Sequence, residues 1–83
     1  MKNNYIPQFN DWVKKENVQV LKKLENSDFK IGDIVTFTNE FGVQFENLEI
    51  IGFRNNKDFL PDRCVYLNKS SYWFPVKVSE IKK

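Results

Sequence analysis

At 83 residues the chain holds one domain at most. A chain this short buries only about 60–65% of its extended surface on folding, which leaves a thin core and no room for a catalytic domain beside a binding domain. It is 41% hydrophobic and 16% aromatic, too rich in core formers for intrinsic disorder, and its 13 Lys+Arg against 11 Asp+Glu leave a net charge of only +2, with no case for a dedicated nucleic-acid binder.

Met1 to Ile6 is polar, and Pro7 fixes where regular structure begins. "QFNDWVKKENVQVLKKLENS" then reads as helix. At about 100° per residue, Phe9, Trp12, Val13, Val20, Leu21 and Leu24 share one broad face, with Lys14, Lys15, Lys22 and Lys23 mostly away from it. Val18 falls opposite and Glu16 falls within the apolar face. These misfits predict a break near Asn17, one short helix ending there and a second beginning. Asn10 or Asp11 would cap the first and Asn17 the second. The absence of alanine, the strongest helix former, argues against a helical bundle.

After Asn26-Ser27-Asp28 the apolar period falls from about 3.6 to about 2 and stays there. "FKIGDIVTFTN" places Ile31, Val35 and Phe37 on one face of a strand, with Gly32-Asp33 between. "GVQFENLEIIGFRN" continues with Val43 and Phe45, a polar Glu46-Asn47 step, then Leu48, Ile50, Ile51 and Phe53. The register slips between Ile50 and Ile51, which predicts a bulge that Gly52 permits. "NNKDFLPD" reads as a loop, "RCVYLN" as a third strand, Lys69-Ser70-Ser71 as a tight turn and "YWFPVKV" as a fourth strand broken by Pro75. "SEIKK" closes with one turn of 3-10 helix. Between the first strands, Asn39-Glu40-Phe41-Gly42 is a four-residue connection. Gly42 would supply its positive φ, and Asn39 would hydrogen-bond its own turn. The expected architecture is α+β and mainly β: a helical extension over residues 1–28 and, over residues 29–83, a small antiparallel barrel of four to five strands, SH3-like in type.

"GDIVTFTNEFGVQF" together with "YWFPVKVSEIK" resembles a group of small proteins carried by bacterial phages, prophages and plasmids. Those proteins carry a G-D-x-V-x-F-T-N-x-x-G-V-x-F block and a C-terminal W-[FY]-P-V block. Gly-Asp before an alternating strand is also similar to the first strand of SH3-like and KOW-type barrels. The resemblance covers roughly Phe29 to Ile81. It implies a fold and a mobile-element setting, and no particular chemistry.

Histidine is absent, which removes Ser-His-Asp and Cys-His catalysis, the usual zinc ligand and the commonest base near neutral pH. Cys64, the one cysteine, rules out an intramolecular disulfide and reads as a buried structural residue of the third strand. The carboxylates are scattered, and Asp58 and Asp62 around Phe59-Leu60-Pro61 make a poor metal site. The expectation is a protein with no enzymatic activity, no cofactor and no metal. Nothing approaches about 18 consecutive apolar residues, so a cytoplasmic protein without a membrane segment is expected.

What remains is recognition. Strand alternation would send Trp73 to one face and Tyr72 and Phe74 to the other. The outward aromatic would either pack under the N-terminal helix, the preferred reading because Phe9 and Trp12 also need a surface, or stand exposed for a partner. Phe41 would either fold down as a lid over the barrel end, again preferred, or be a contact residue. The candidate binding residues are Phe41, Tyr72, Trp73, Arg54, Lys57 and Asn39. The leading expectation is a protein-binding accessory module that docks on a host or phage protein as an inhibitor or adaptor. The alternatives are a nucleic-acid-binding barrel using the same aromatics with Lys22, Lys23, Arg54 and Lys57 on phosphates, and a homo-oligomer such as a dimer paired through an edge strand.

Overall fold

Pro7 is tolerated in the first turn of a helix because the N–H it lacks would have had no partner there. In the computed structural model, which describes residues 4–23, 28–54 and 63–83, helix α1 accordingly spans Ile6–Glu16. The Asn4 side-chain oxygen accepts from the Ile6 N–H at 3.1 Å, so neither Asn10 nor Asp11 acts as the cap. The helix ends as a Schellman motif. Asn17 takes the left-handed conformation (φ 53), its N–H donates to the Lys14 carbonyl at 3.4 Å, and the Val18 N–H donates to the Val13 carbonyl at 3.0 Å.

The predicted break at Asn17 is present, but the predicted second helix is not. The chain after Asn17 runs extended to Leu21, which exchanges two backbone hydrogen bonds with Phe53, at 2.7 and 3.0 Å. The left-handed cap redirects the chain, and the sheet then supplies the partners that a second helix would have supplied. Leu24 and the Asn26-Ser27 stop lie outside the described residues.

Five antiparallel strands follow: β1 (Ile34–Thr38), β2 (Gln44–Phe53), β3 (Arg63–Leu67), β4 (Val76–Lys77) and β5 (Ile81–Lys82). A 3-10 turn, Val78–Glu80, joins the last two, and β5 follows it where the sequence predicts only the turn. The sheet order is β4-β3-β2-β1-β5, and among the described residues no ladder closes β4 onto β5. The fold is therefore α+β, one helix with an open five-stranded antiparallel sheet.

β2 serves both halves of the sheet and is irregular twice. Val35 pairs with Leu48 and Phe37 with Phe45, so Glu46 and Asn47 together oppose Thr36, and Asn47 takes a φ of 60. Further along, Ile50 pairs with Leu67 and Gly52 with Tyr66, which leaves Ile51 as the extra residue. That is the slip read from the apolar pattern at Ile50-Ile51. At the start of the sheet, Gly32 (φ 95) turns the chain and β1 begins only at Ile34. Ile31 therefore sits in the turn, exposed, and not on the buried face with Val35 and Phe37. The Asp33 carboxylate accepts from the Lys30 N–H at 2.9 Å and pairs with Lys83 at 3.2 Å, and these contacts hold its pKa below the ordinary carboxylate value.

The core lies between the two halves of the sheet and is built from Val35, Phe37, Ile50, Phe53, Val65 and Leu67, closed by Val76 and Ile81. All of β3 from Cys64 to Leu67 is buried, on both faces of the strand. Val65 and Leu67 point one way; Tyr66 points the other and meets α1, with its ring 5.2 Å from Phe9 and 5.9 Å from Trp12. The aromatic beneath the helix is thus Tyr66.

Gly52 matters for close approach rather than for its backbone angle. A Cβ built there would stand 2.6 Å from the Val20 Cγ1 and 3.5 Å from the Phe9 Cζ. Val20 is β-branched and stiff at χ1, so it yields only if the segment after α1 moves. Gly52→Ala is expected to cost about 1–3 kcal/mol by overpacking, read as a lowered denaturation midpoint. An unchanged midpoint would show that Val20 is not packed onto β2.

Candidate functional site

The β1–β2 hairpin is tied by one side chain. The Asn39 carbonyl oxygen Oδ1 accepts from the Phe41 N–H at 2.9 Å and from the Val43 N–H at 3.0 Å. On the backbone, the Gly42 N–H donates to the Asn39 carbonyl and the Asn39 N–H to the Val43 carbonyl, each at 3.0 Å. Gly42 takes a φ of 81, as the connection requires. The turn chemistry is the one read from the sequence, but Phe41 is not a lid. Its side chain is 83% exposed. Beneath it Phe37 and Phe45 are cross-strand partners whose rings stack at 5.8 Å and 19°.

The "YWF" segment is not a strand. Residues 70–73 form a turn, with the Phe74 N–H donating to the Ser71 carbonyl at 3.1 Å, and strand structure resumes only at Val76. Pro75 offers no N–H to a ladder and pushes the residue before it out of the helical region. Lys69 also braces the turn, donating to the Ser71 carbonyl at 3.2 Å and to the Ser71 hydroxyl. The alternation predicted for Tyr72, Trp73 and Phe74 therefore does not apply. Tyr72 stacks on Tyr5 (6.3 Å, 23°) and takes Trp73 edge-on (5.1 Å, 90°), while Trp73 itself is half exposed.

Between the hairpin and this β3–β4 turn lies an open cavity of about 310 Å³. Its apolar walls are Phe41 and Phe45 from the hairpin, Phe74 from the turn, and Phe37 and Leu48 below. Two cations reach it. The Arg63 guanidinium lies over the Phe74 ring at 5.1 Å and faces the Glu80 carboxylate at 3.8 Å; Glu80 also accepts from the Lys77 N–H at 3.1 Å. The Lys69 ammonium lies over the Phe37 ring at 5.7 Å. Burial pushes the Lys69 pKa down and the nearby Arg63 charge adds to this, while Glu80 opposes it. Among the described residues, no carboxylate stands within ion-pair distance of Lys69. Glu40 lines the rim and is exposed. On the far side of Lys69 a second cavity of about 280 Å³ is lined by Glu46, Asn47 and Glu49. The first cavity is at the small end for ligand sites, enough for one or two side chains of a partner.

Of the residues singled out from the sequence, Phe41 and Asn39 come together in this cleft. Tyr72 and Trp73 lie on the same turn but outside the cleft lining. Arg54 is elsewhere: its Nη1 donates to the Tyr66 hydroxyl at 3.2 Å, on the side of the sheet that α1 covers. Lys57, Asp58 and Asp62 lie outside the described residues. The sequence reading missed Lys69, Arg63, Phe45 and Phe74. Phe45 was readable as the cross-strand partner of Phe37 once the hairpin length was fixed, whereas Lys69 reads as an ordinary turn lysine.

Among the described residues no group of three or more Cys, Asp and Glu gathers to hold a metal ion, and no helix is long and apolar enough to cross a membrane. Cys64 is buried in the core. Comparison with protein-family models, with curated proteins and with solved structures finds no match.

Proposed function

We propose that this chain is a non-enzymatic protein-binding module of the kind carried by phages and other mobile elements. In this reading it is a cytoplasmic inhibitor or adaptor of a host protein and grips a segment of that protein in the cleft between the β1–β2 hairpin and the β3–β4 turn. One observation carries the reading: an exposed Phe41, held by a turn that Asn39 has already ordered, stands at the mouth of an aromatic cleft. Large aromatic anchors dominate interface energetics. A pre-ordered loop also avoids much of the entropy that ordering on contact would cost. The mobile-element setting rests on the resemblance of the two sequence blocks. For the fold, the corresponding reading is an SH3-like barrel left open between β4 and β5. A meander of short strands, a β2 that bends at two irregularities to serve both halves, and the return of β5 beside β1 support it. Arg54, engaged with Tyr66, does not favour the nucleic-acid alternative.

Selection of random linear peptides on the immobilised full chain tests the reading. Enriched peptides are expected to carry an aromatic residue and to bind Phe41→Ala much more weakly than the wild type. The failure of any sequence to enrich, or equal binding by the variant, would contradict it.

A further inference from the structure

If the cleft is a peptide site, its floor says what the peptide carries. The walls are apolar and would accept any large hydrophobic side chain, but Lys69 is a half-buried ammonium whose hydrogen bonds go to the neutral oxygens of Ser71. Arg63, the other cation of the cleft, already faces Glu80 at 3.8 Å and lies over Phe74. Among the described residues, the other carboxylates lining these two cavities are Glu40 on the exposed rim and Glu46 and Glu49 in the neighbouring cavity, which Lys69 also lines. Among the described residues Lys69 has no carboxylate at ion-pair distance, and Glu80 acts on it only from farther away. A half-buried cation in that position attracts an anion from outside because the attraction is less screened there.

We infer that the cleft recognises an acidic-aromatic segment of a protein: an aromatic side chain packed among Phe41, Phe45 and Phe74, with an Asp or Glu side chain close by in the sequence paired with Lys69. The inference rests on the proposed binding role and adds the chemistry of the partner. A side-chain carboxylate fits better than a chain-terminal one. Terminal carboxylates are captured by arrays of backbone N–H groups, and here the N–H groups of Phe41, Gly42, Val43 and Phe74 are already used within the hairpin and the turn.

The test uses two peptide libraries of the same design, N-acetylated and C-amidated, with an aromatic residue followed two positions later by Glu in one and Gln in the other. Binding to the full chain is read by fluorescence anisotropy. The best Glu peptides are expected to bind about tenfold tighter than their Gln twins, the low end for a charge-assisted bond. Lys69→Met is expected to bring the two within about twofold, and Lys69→Arg to keep most of the difference. Equal binding of Glu peptides and Gln twins by the wild type would overturn the carboxylate pairing while leaving the binding role intact. A third set, the Gln peptides made with a free C-terminal carboxylate, is measured beside them, and tighter binding of that set than of the amidated Glu peptides would overturn the pairing in favour of terminal capture. No binding by either library would overturn both the pairing and the binding role. If Lys69→Met does not fold, the wild-type comparison of twins and the Lys69→Arg variant still decide.

Discussion

Phe53→Ala is expected to remove a large share of the stability of the chain. Phe53 has no exposed surface and sits in the core among Ile50, Val65 and Leu67. Truncating a buried phenylalanine costs about 3–5 kcal/mol, from lost transfer energy and from the cavity left behind. A chain of 83 residues commands roughly 4–12 kcal/mol in total. The site has little freedom to collapse, because the Phe53 backbone is fixed on both sides, paired with Val65 of β3 and hydrogen-bonded to Leu21. Urea denaturation followed by circular dichroism should give a much lower midpoint with a similar slope. A loss below about 1 kcal/mol would mean that Phe53 is not enclosed between the two halves of the sheet.

Phe41→Ala is expected to behave in the opposite way. With 83% of Phe41 exposed, its removal should change stability by no more than about 0.5 kcal/mol. It is expected to weaken binding of a cleft ligand by about 2 kcal/mol, roughly 30-fold. The contrast between the two phenylalanines separates architecture from recognition. The hairpin bonds to Asn39 run from the backbone N–H groups of Phe41 and Val43, so the alanine variant keeps the turn. Any loss of affinity then belongs to the ring. A fall in stability as large as the fall in binding would show Phe41 to be structural.

Much of this fold was legible because the physics that sets it is local. Alternation in "VTF" and the doubled isoleucines of β2 gave the buried face and the bulge at Ile51. Asn39 and Gly42 gave the hairpin connection. What was not legible depends on partners distant in sequence. Val18 and Val20 read as positions around a helix, because their strand-like spacing becomes readable only once Phe53 offers its backbone to Leu21. "YWF" has the composition of a strand, yet Pro75, the Lys69 contacts to Ser71 and the Asn68 N–H bonded to the Glu49 carbonyl at 2.9 Å hold the segment as a turn. The same holds for the cleft. Phe41 stands out as an odd residue in a turn, but the sequence could not show that Phe37 and Phe45 stack on each other across the strands and leave Phe41 exposed. Nor could it show that Lys69 would lie over the Phe37 ring.

The most direct measurement is the amide proton–nitrogen correlation spectrum of the labelled chain as a selected peptide is added. Shifts are expected to be concentrated in residues 39–45 and 69–76, the two walls of the cleft, with α1 and the Tyr66 side of the sheet unmoved. Shifts concentrated on α1, with the hairpin silent, would contradict it.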